Sequence, residues 1–150
     1  MLFHNMFKAG LLALALVVPA VQAATATDIT VYRSPSCGCC LKWIEYMRAQ
    51  GFSPTVVEKE DLVSIKHAQG VPDEKASCHT AVVDGYFVEG HVPAEDVRRL
   101  LAEHPDARGI TAPGMPMGSP GMEMPGHTQA YDVLLVLKDG STRVFAHHEK

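Results

Sequence analysis

The sequence predicts a mixed α/β domain in the order β-α-β-α-β-β-α, extended by a C-terminal β-hairpin and a long Met-, Gly- and Pro-rich loop. Three observations carry this. Apolar positions alternate in some runs and recur every three to four residues in others; two Asp-Gly pairs each sit between β-rich runs; and Gly or Pro closes each helical run. The first strand covers Asp28 to Tyr32, and a helix follows from Cys39 to about Gln50, with apolar Cys40, Leu41, Ile44 and Met47 and Gly51 as its stop. Trp43 and Tyr46 on this helix are expected in the core or at its rim. Pro54 to Glu58 supplies the second strand. Asp61 to Ala68, with Leu62 and Ile65, makes a short helix ended by Gly70 and Pro72. Residues Cys78 to His91 flank Asp84-Gly85 as a hairpin. Pro93 opens the third helix, Glu95 and Asp96 occupy its first turn, Val97, Leu100 and Leu101 form its buried stripe, and Pro105 ends it. Tyr131 to Leu137 and Thr142 to Ala146, around Asp139-Gly140, give the last hairpin.

Residues 1–23 have the three parts of a secretory leader: Lys8 without acidic residues, the apolar run Leu11 to Val18, and Val21-Gln22-Ala23 as a small-residue cleavage site. Cleavage after Ala23 is expected, because the apolar run falls short of the roughly 20 residues that span a bilayer. The mature chain, residues 24–150, is expected as a single exported domain without membrane insertion, periplasmic in a bacterium. The leader holds one lysine and no acid, so its removal moves the formal net charge from −4 to −5. A mildly acidic chain without a basic stripe excludes a nucleic-acid surface. A mature chain of this size buries a core without help from disulfides, which shifts the weight of four cysteines from stapling to chemistry. The competing reading is an exported domain held by two plain disulfides.

Three of those cysteines lie in Ser34-Pro35-Ser36-Cys37-Gly38-Cys39-Cys40, at the junction of the first strand and first helix. Unpaired N–H groups and the helix dipole favour a thiolate there, so Cys37 is the candidate nucleophile or soft-metal ligand. Cys37 and Cys40 have C-x-x-C spacing on one helical face, with Cys39 between them. The segment 113–127 holds Met115, Met117, Met122, Met124 and His127 among prolines and glycines, with no helical or strand period. It is expected as part of a loop over residues 106–130, longer than a compact domain ordinarily carries without a function. Thioether and thiolate sulfur together select Cu(I) over zinc, calcium or magnesium; the bland alternative is methionines filling gaps in the core. Held at both ends, the loop is expected to lie over the cysteines as a lid. His79, next to Cys78, is a candidate ligand or a neighbour that lowers a thiol pKa. His91, beside Pro93, is read as serving the turn at least as readily as ligating a metal, while His67 and His104 are assigned to solvated helix ends and His147 and His148 to a frayed tail.

The element order and the C-x-x-C junction resemble the thioredoxin fold over residues 28 to 104, with one departure: Ser77-Cys78-His79-Thr80 stands where thioredoxins carry a cis-proline. That resemblance sets Cys78 opposite Cys37, Cys39 and Cys40. Cys37-Gly38-Cys39-Cys40, Cys78-His79-Thr80-Ala81-Val82-Val83, Gly90-His91-Val92-Pro93-Ala94 and Gly114-Met115-Pro116-Met117-Gly118-Ser119-Pro120-Gly121-Met122-Glu123 together resemble the CopG-like family of exported copper-resistance proteins, long catalogued as a domain of unknown function. The resemblance implies a thioredoxin-like domain that binds one or more copper ions through its cysteines in copper resistance, with copper-handling or electron-donor proteins of the periplasm as partners. Two mechanisms follow. In one, Cys37, Cys39, Cys40 and Cys78 nest Cu(I), with His79, Met115, Met117, Met122, Met124 and His127 as further ligands and thiol-linked Cu(I)/Cu(II) redox chemistry. In the other, the chain is a thiol-disulfide oxidoreductase with Cys37 attacking and Cys40 resolving. Four cysteines allow three pairings. Cys37–Cys40 with Cys39–Cys78 is the expected oxidised state, because Cys39 points away from the Cys37 face of the helix and a Cys39–Cys40 bridge is vicinal. Sequestration and redox chemistry use the same ligands.

Overall fold

The computed structural model describes residues 25–149, so the leader expected over residues 1–23 lies outside the described residues. The strands are β1 (Thr27–Arg33), β2 (Phe52–Glu58), β3 (Thr80–Val83), β4 (Tyr86–Glu89), β5 (Ala107–Thr111), β6 (Tyr131–Leu137) and β7 (Thr142–His148). The helices are α1 (Gly38–Ala49), α2 (Val63–Gln69) and α3 (Ala94–Glu103), with a 3-10 turn at Asp73–Lys75. All seven strands join one sheet in the order β2-β1-β3-β4-β5-β6-β7. The β1/β2 and β4/β5 pairs are parallel and the others antiparallel. Pro54 is tolerated because β2 is an edge strand, where a missing N–H interrupts no ladder.

The turns obey their chemistry. Asp84 and Gly85 both have positive φ (47° and 79°), the backbone that a two-residue hairpin demands. Asp139 Oδ1 accepts from the Ser141 N–H at 2.9 Å and fixes the second hairpin. The expected loop 106–130 is corrected at its start, since residues 107–111 form β5 and the irregular segment runs over 112–130. Ala-Arg-Gly-Ile-Thr has no strand alternation of its own. It pairs because β4 and β6 offer their edges on either side, and a Cβ at Gly109 would meet Phe87 O at 2.1 Å.

One apolar cluster unites Ile29 and Val31 of β1, Trp43, Ile44 and Met47 of α1, Val97 and Leu100 of α3, and Ile110 and Leu135. Their sheet neighbours Phe87 and Val136 point to the opposite face, against Val71. The buried stripe of α1 is Cys40, Trp43, Ile44 and Met47, while Leu41 is exposed. Trp43 Nε1 donates to Val92 O (2.9 Å) and the Ala94 N–H donates to Tyr46 Oη (3.0 Å). These two bonds lock α1 to the corner between β4 and α3. The far end of β1, the start of β3 and the ends of β4 and β5 then lie along one margin of the sheet.

Candidate metal centre

Arg33 closes β1 and is buried beneath the turn that follows. Its Nη1 donates to Cys37 O (2.8 Å), and its Nη2 donates to Pro35 O (3.2 Å) and Glu58 Oε1 (2.6 Å). The sequence reading missed this role; an arginine ending an apolar strand was its signal. Cys37 is the residue preceding the first turn of α1, with extended φ and ψ of −79° and 96°, and Cys40, one turn on, is fully buried. These two are joined by a disulfide, Cα to Cα 5.4 Å. The expected second bridge is not formed: Cys39 and Cys78 are both free thiols. All four sulfurs nevertheless lie within 4.8 Å of one another, with Cys37 Sγ and Cys39 Sγ 3.6 Å apart.

Cys78 is delivered by the hairpin. Its neighbour Ser77 donates its N–H to Glu89 Oε1 (2.7 Å), and Glu89, wholly buried, also accepts from Thr80 Oγ1 (2.6 Å) and from Lys66 Nζ of α2. Burial pushes the Glu89 carboxyl above its ordinary range, against the pull of Lys66. Burial, with Cys39 as a second cause, pushes the Cys78 thiol up to about 12.

Two buried histidines face that thiol. His79 Nδ1 lies 3.3 Å and His91 Nε2 3.1 Å from Cys78 Sγ. His91 Nδ1 donates to Pro120 O at 2.7 Å, which leaves the Nε2 lone pair toward the sulfur. His79 Nε2 is buried with no hydrogen-bond partner among the described residues, and its ring tilts against Trp43 at 4.5 Å. Burial holds both imidazoles below their ordinary pKa. Cys78, His79 and His91 thus form a second donor group, within 4.8 Å of one another, that shares Cys78 with the four sulfurs. His91, for which the sequence left a turn role and ligation both open, is a member of it. The signal was the hairpin register: Thr80 pairs with Glu89, and the same register carried outward sets Cys78 opposite His91.

The irregular segment packs over the start of α1. Gly121 has φ +83°, and a Cβ there would meet Trp43 N at 2.8 Å, Cys39 O at 3.1 Å and His91 Nδ1 at 3.2 Å. Beside it opens a cavity of about 350 Å³ lined by Cys39, Lys42, Met122, Glu123 and Met124, with Gly38 and Gly121. Met122 and Met124 are therefore set beside Cys39. Met115 and Met117 are exposed and outside that lining, and His127, also exposed, belongs to neither donor group. The tail is not frayed as expected: His147 and His148 belong to β7, and His148 Nε2 bonds Asp96 Oδ2 at 2.7 Å.

A family model described as a protein of unknown function, DUF411, matches residues 75–122. No curated protein matches the chain. Two solved structures are similar to it, both named copper resistance protein copG, forms 2 and 1. Each is 44% identical with a TM-score of 0.79; they cover 82% and 83% of this chain, which spans 98% and 99% of theirs.

Proposed function

The chain belongs to the CopG-like family of copper-resistance proteins, and from that membership we propose that it binds Cu(I) in the exported compartment through Cys37, Cys39, Cys40 and Cys78. The observation that carries the reading is the meeting of four sulfurs within 4.8 Å at a helix N-terminus. The donor set fits the ion: thiolate sulfur, with the thioethers of Met122 and Met124 beside Cys39, suits a soft monovalent cation. Bound copper supplies a one-electron couple. Cys37 and Cys40, in closing their disulfide from two thiols, would release two protons to solvent and two electrons, enough to take two Cu(II) to two Cu(I); reopening the bridge without reoxidising copper takes two electrons and two protons, the electrons from a donor of the same compartment. The thioredoxin-like reading of the fold is supported by β1 lying parallel to β2 and antiparallel to β3. Among the described residues no helix is long and apolar enough to cross a membrane. Export is supported by the leader pattern over residues 1–23, with cleavage after Ala23.

A second reading, protein thiol-disulfide exchange, is favoured by the Cys37–Cys40 bridge, whose outer sulfur belongs to a half-buried residue and whose inner one to a fully buried residue. Against it stands the methionine segment packed at Gly121 on the start of α1, which a general oxidoreductase has no use for. An anaerobic Cu(I) titration of the reduced protein against a competing chelator separates the two. Copper held against the chelator, and lost in Cys78→Ser, supports the copper site; failure to compete leaves disulfide exchange as the better account.

A further inference from the structure

With Cys37 and Cys40 bonded to each other, two of the four sulfurs are neutral and poor ligands, because the thiolate is the binding form. The donors that remain are Cys39, Cys78, His79 and His91. We propose that the disulfide form of the chain keeps a metal site of its own, in which Cys78, His79 and His91 hold a tetrahedral divalent ion of the zinc class and Cys39 is the nearest fourth donor. The inference rests on the cysteine cluster being a metal site but not on the ion being copper.

Three independent features carry it. The first is geometry: Cys78 Sγ, a nitrogen of His79 and a nitrogen of His91 lie within 4.8 Å of one another, and Cys39 Sγ lies within that distance of Cys78 Sγ. The second is the support behind His91. Ligating histidines donate their other ring N–H to a carbonyl or carboxylate, which fixes tautomer and orientation; His91 Nδ1 does so to Pro120 O, and Nε2 faces the thiol. The third is His79. It is fully buried, its Nε2 has no partner among the described residues, and its Nδ1 lies 3.3 Å from the Cys78 sulfur. A thiol is a weak hydrogen-bond partner for a buried imidazole, and an ion held between Nδ1 and the Cys78 sulfur replaces that weak contact with a ligand bond. Two imidazoles and one or two thiolates form a borderline set that suits zinc or cobalt(II) in tetrahedral geometry, whereas thiolates joined by the Met122 and Met124 thioethers beside Cys39 suit Cu(I). Closure of one disulfide therefore changes the class of ion the same pocket prefers.

The test uses untagged protein kept non-reducing, with the Cys37–Cys40 bridge verified by mass, titrated with Co(II) and followed by absorption. One Co(II) per chain is expected, with the visible bands of a tetrahedral site and a sulfur-to-cobalt charge-transfer band. His91→Ala should weaken binding at least tenfold, while its far-ultraviolet circular dichroism and cooperative thermal unfolding stay those of a folded chain. Zn(II) should displace the cobalt. Absence of cobalt binding, binding indifferent to His91→Ala, or a signal that disappears with His148→Ala instead, each overturns the proposal. Wild-type protein that takes Co(II) when oxidised but fails the Cu(I) competition when reduced would sink the copper reading and leave this one standing.

Discussion

Cys78 is where the two donor groups meet, and its protonation governs both. Its ordinary pKa of 9.0 is pushed up to about 12, mainly by burial, so at neutral pH it is a thiol and a bound ion must displace its proton. Copper loading between pH 7 and 8 should release one more proton per chain in the wild type than in Cys78→Ser, as read by a pH-indicator titration; equal release would mean that Cys78 is not a ligand. The sign for stability is the ordinary one for a raised pKa: the contribution is present below 9.0 and is lost as pH climbs toward about 12. Gly121 matters for a different reason, steric rather than ionic. Gly121→Ala adds left-handed strain and a clash with backbone on α1, whereas Gly126→Ala, at φ +75° with nothing within 4 Å, adds strain alone. The first should cost about 2–3 kcal/mol and the second about 1 kcal/mol by chemical denaturation, with copper affinity falling only for the first. At this scale the cysteines were legible because C-x-x-C spacing at a strand-helix junction states a chemistry. His91 was legible only as one of two readings, turn or ligand, because a histidine next to Val92-Pro93 carries no local mark that decides between them. Its role comes from pairing across the hairpin, a non-local fact.

The β3–β4 hairpin is the element that turns those residues into a site. It aligns Cys78 with His91, and its last residue, Glu89, is the anchor of the segment that bears the thiol: Ser77 N–H, Thr80 Oγ1 and Lys66 Nζ all donate to one buried carboxylate. Removing one partner of a buried ion pair leaves the other charge uncompensated, at about 3–5 kcal/mol. Glu89→Ala should therefore destabilise the protein by that amount in urea unfolding, and Glu89→Leu combined with Lys66→Met should cost less than Glu89→Ala alone. If the double variant is the weaker of the two, the pair is not acting as a charge pair. The hairpin was legible from sequence because Asp84-Gly85 has one favoured backbone. β5 was not, because Ala107 to Thr111 has neither alternation nor β-branched density until β4 and β6 are in place. The methionine segment stands between these cases. Its irregularity was evident from Gly and Pro, but its place against α1 depends on a single close approach at Gly121, and only Met122 and Met124 gain a position beside a cysteine from it.

For the whole molecule, the sheet has brought the ends of β1, β4 and β5 and the start of β3 to one margin, so a change at the site is felt by elements far apart in sequence. The Cys37–Cys40 bridge closes a loop of sequence separation 3. In the chain-entropy description a loop this short stabilises by only about 2 kcal/mol, a small part of the roughly 5–15 kcal/mol that holds a domain together. Reduction should therefore lower the melting temperature by several degrees without unfolding the protein, leaving the strands to keep Cys78 beside α1. Binding to the native state alone then adds stability as RT ln(1 + [L]/Kd), about 2.7 kcal/mol at a hundredfold excess of free ligand over Kd. Cu(I) supplied anaerobically to the reduced protein should bring the melting temperature back to or above that of the disulfide form, and calorimetry on the two forms with and without copper checks it. A reduced protein that gains no thermal stability from copper, while the chelator competition shows it bound, would place the ion on a segment outside the folded core. Among the described residues the methionine segment is the other soft donor set that could then hold it, and Met122→Leu with Met124→Leu would decide the matter by abolishing what binding remained.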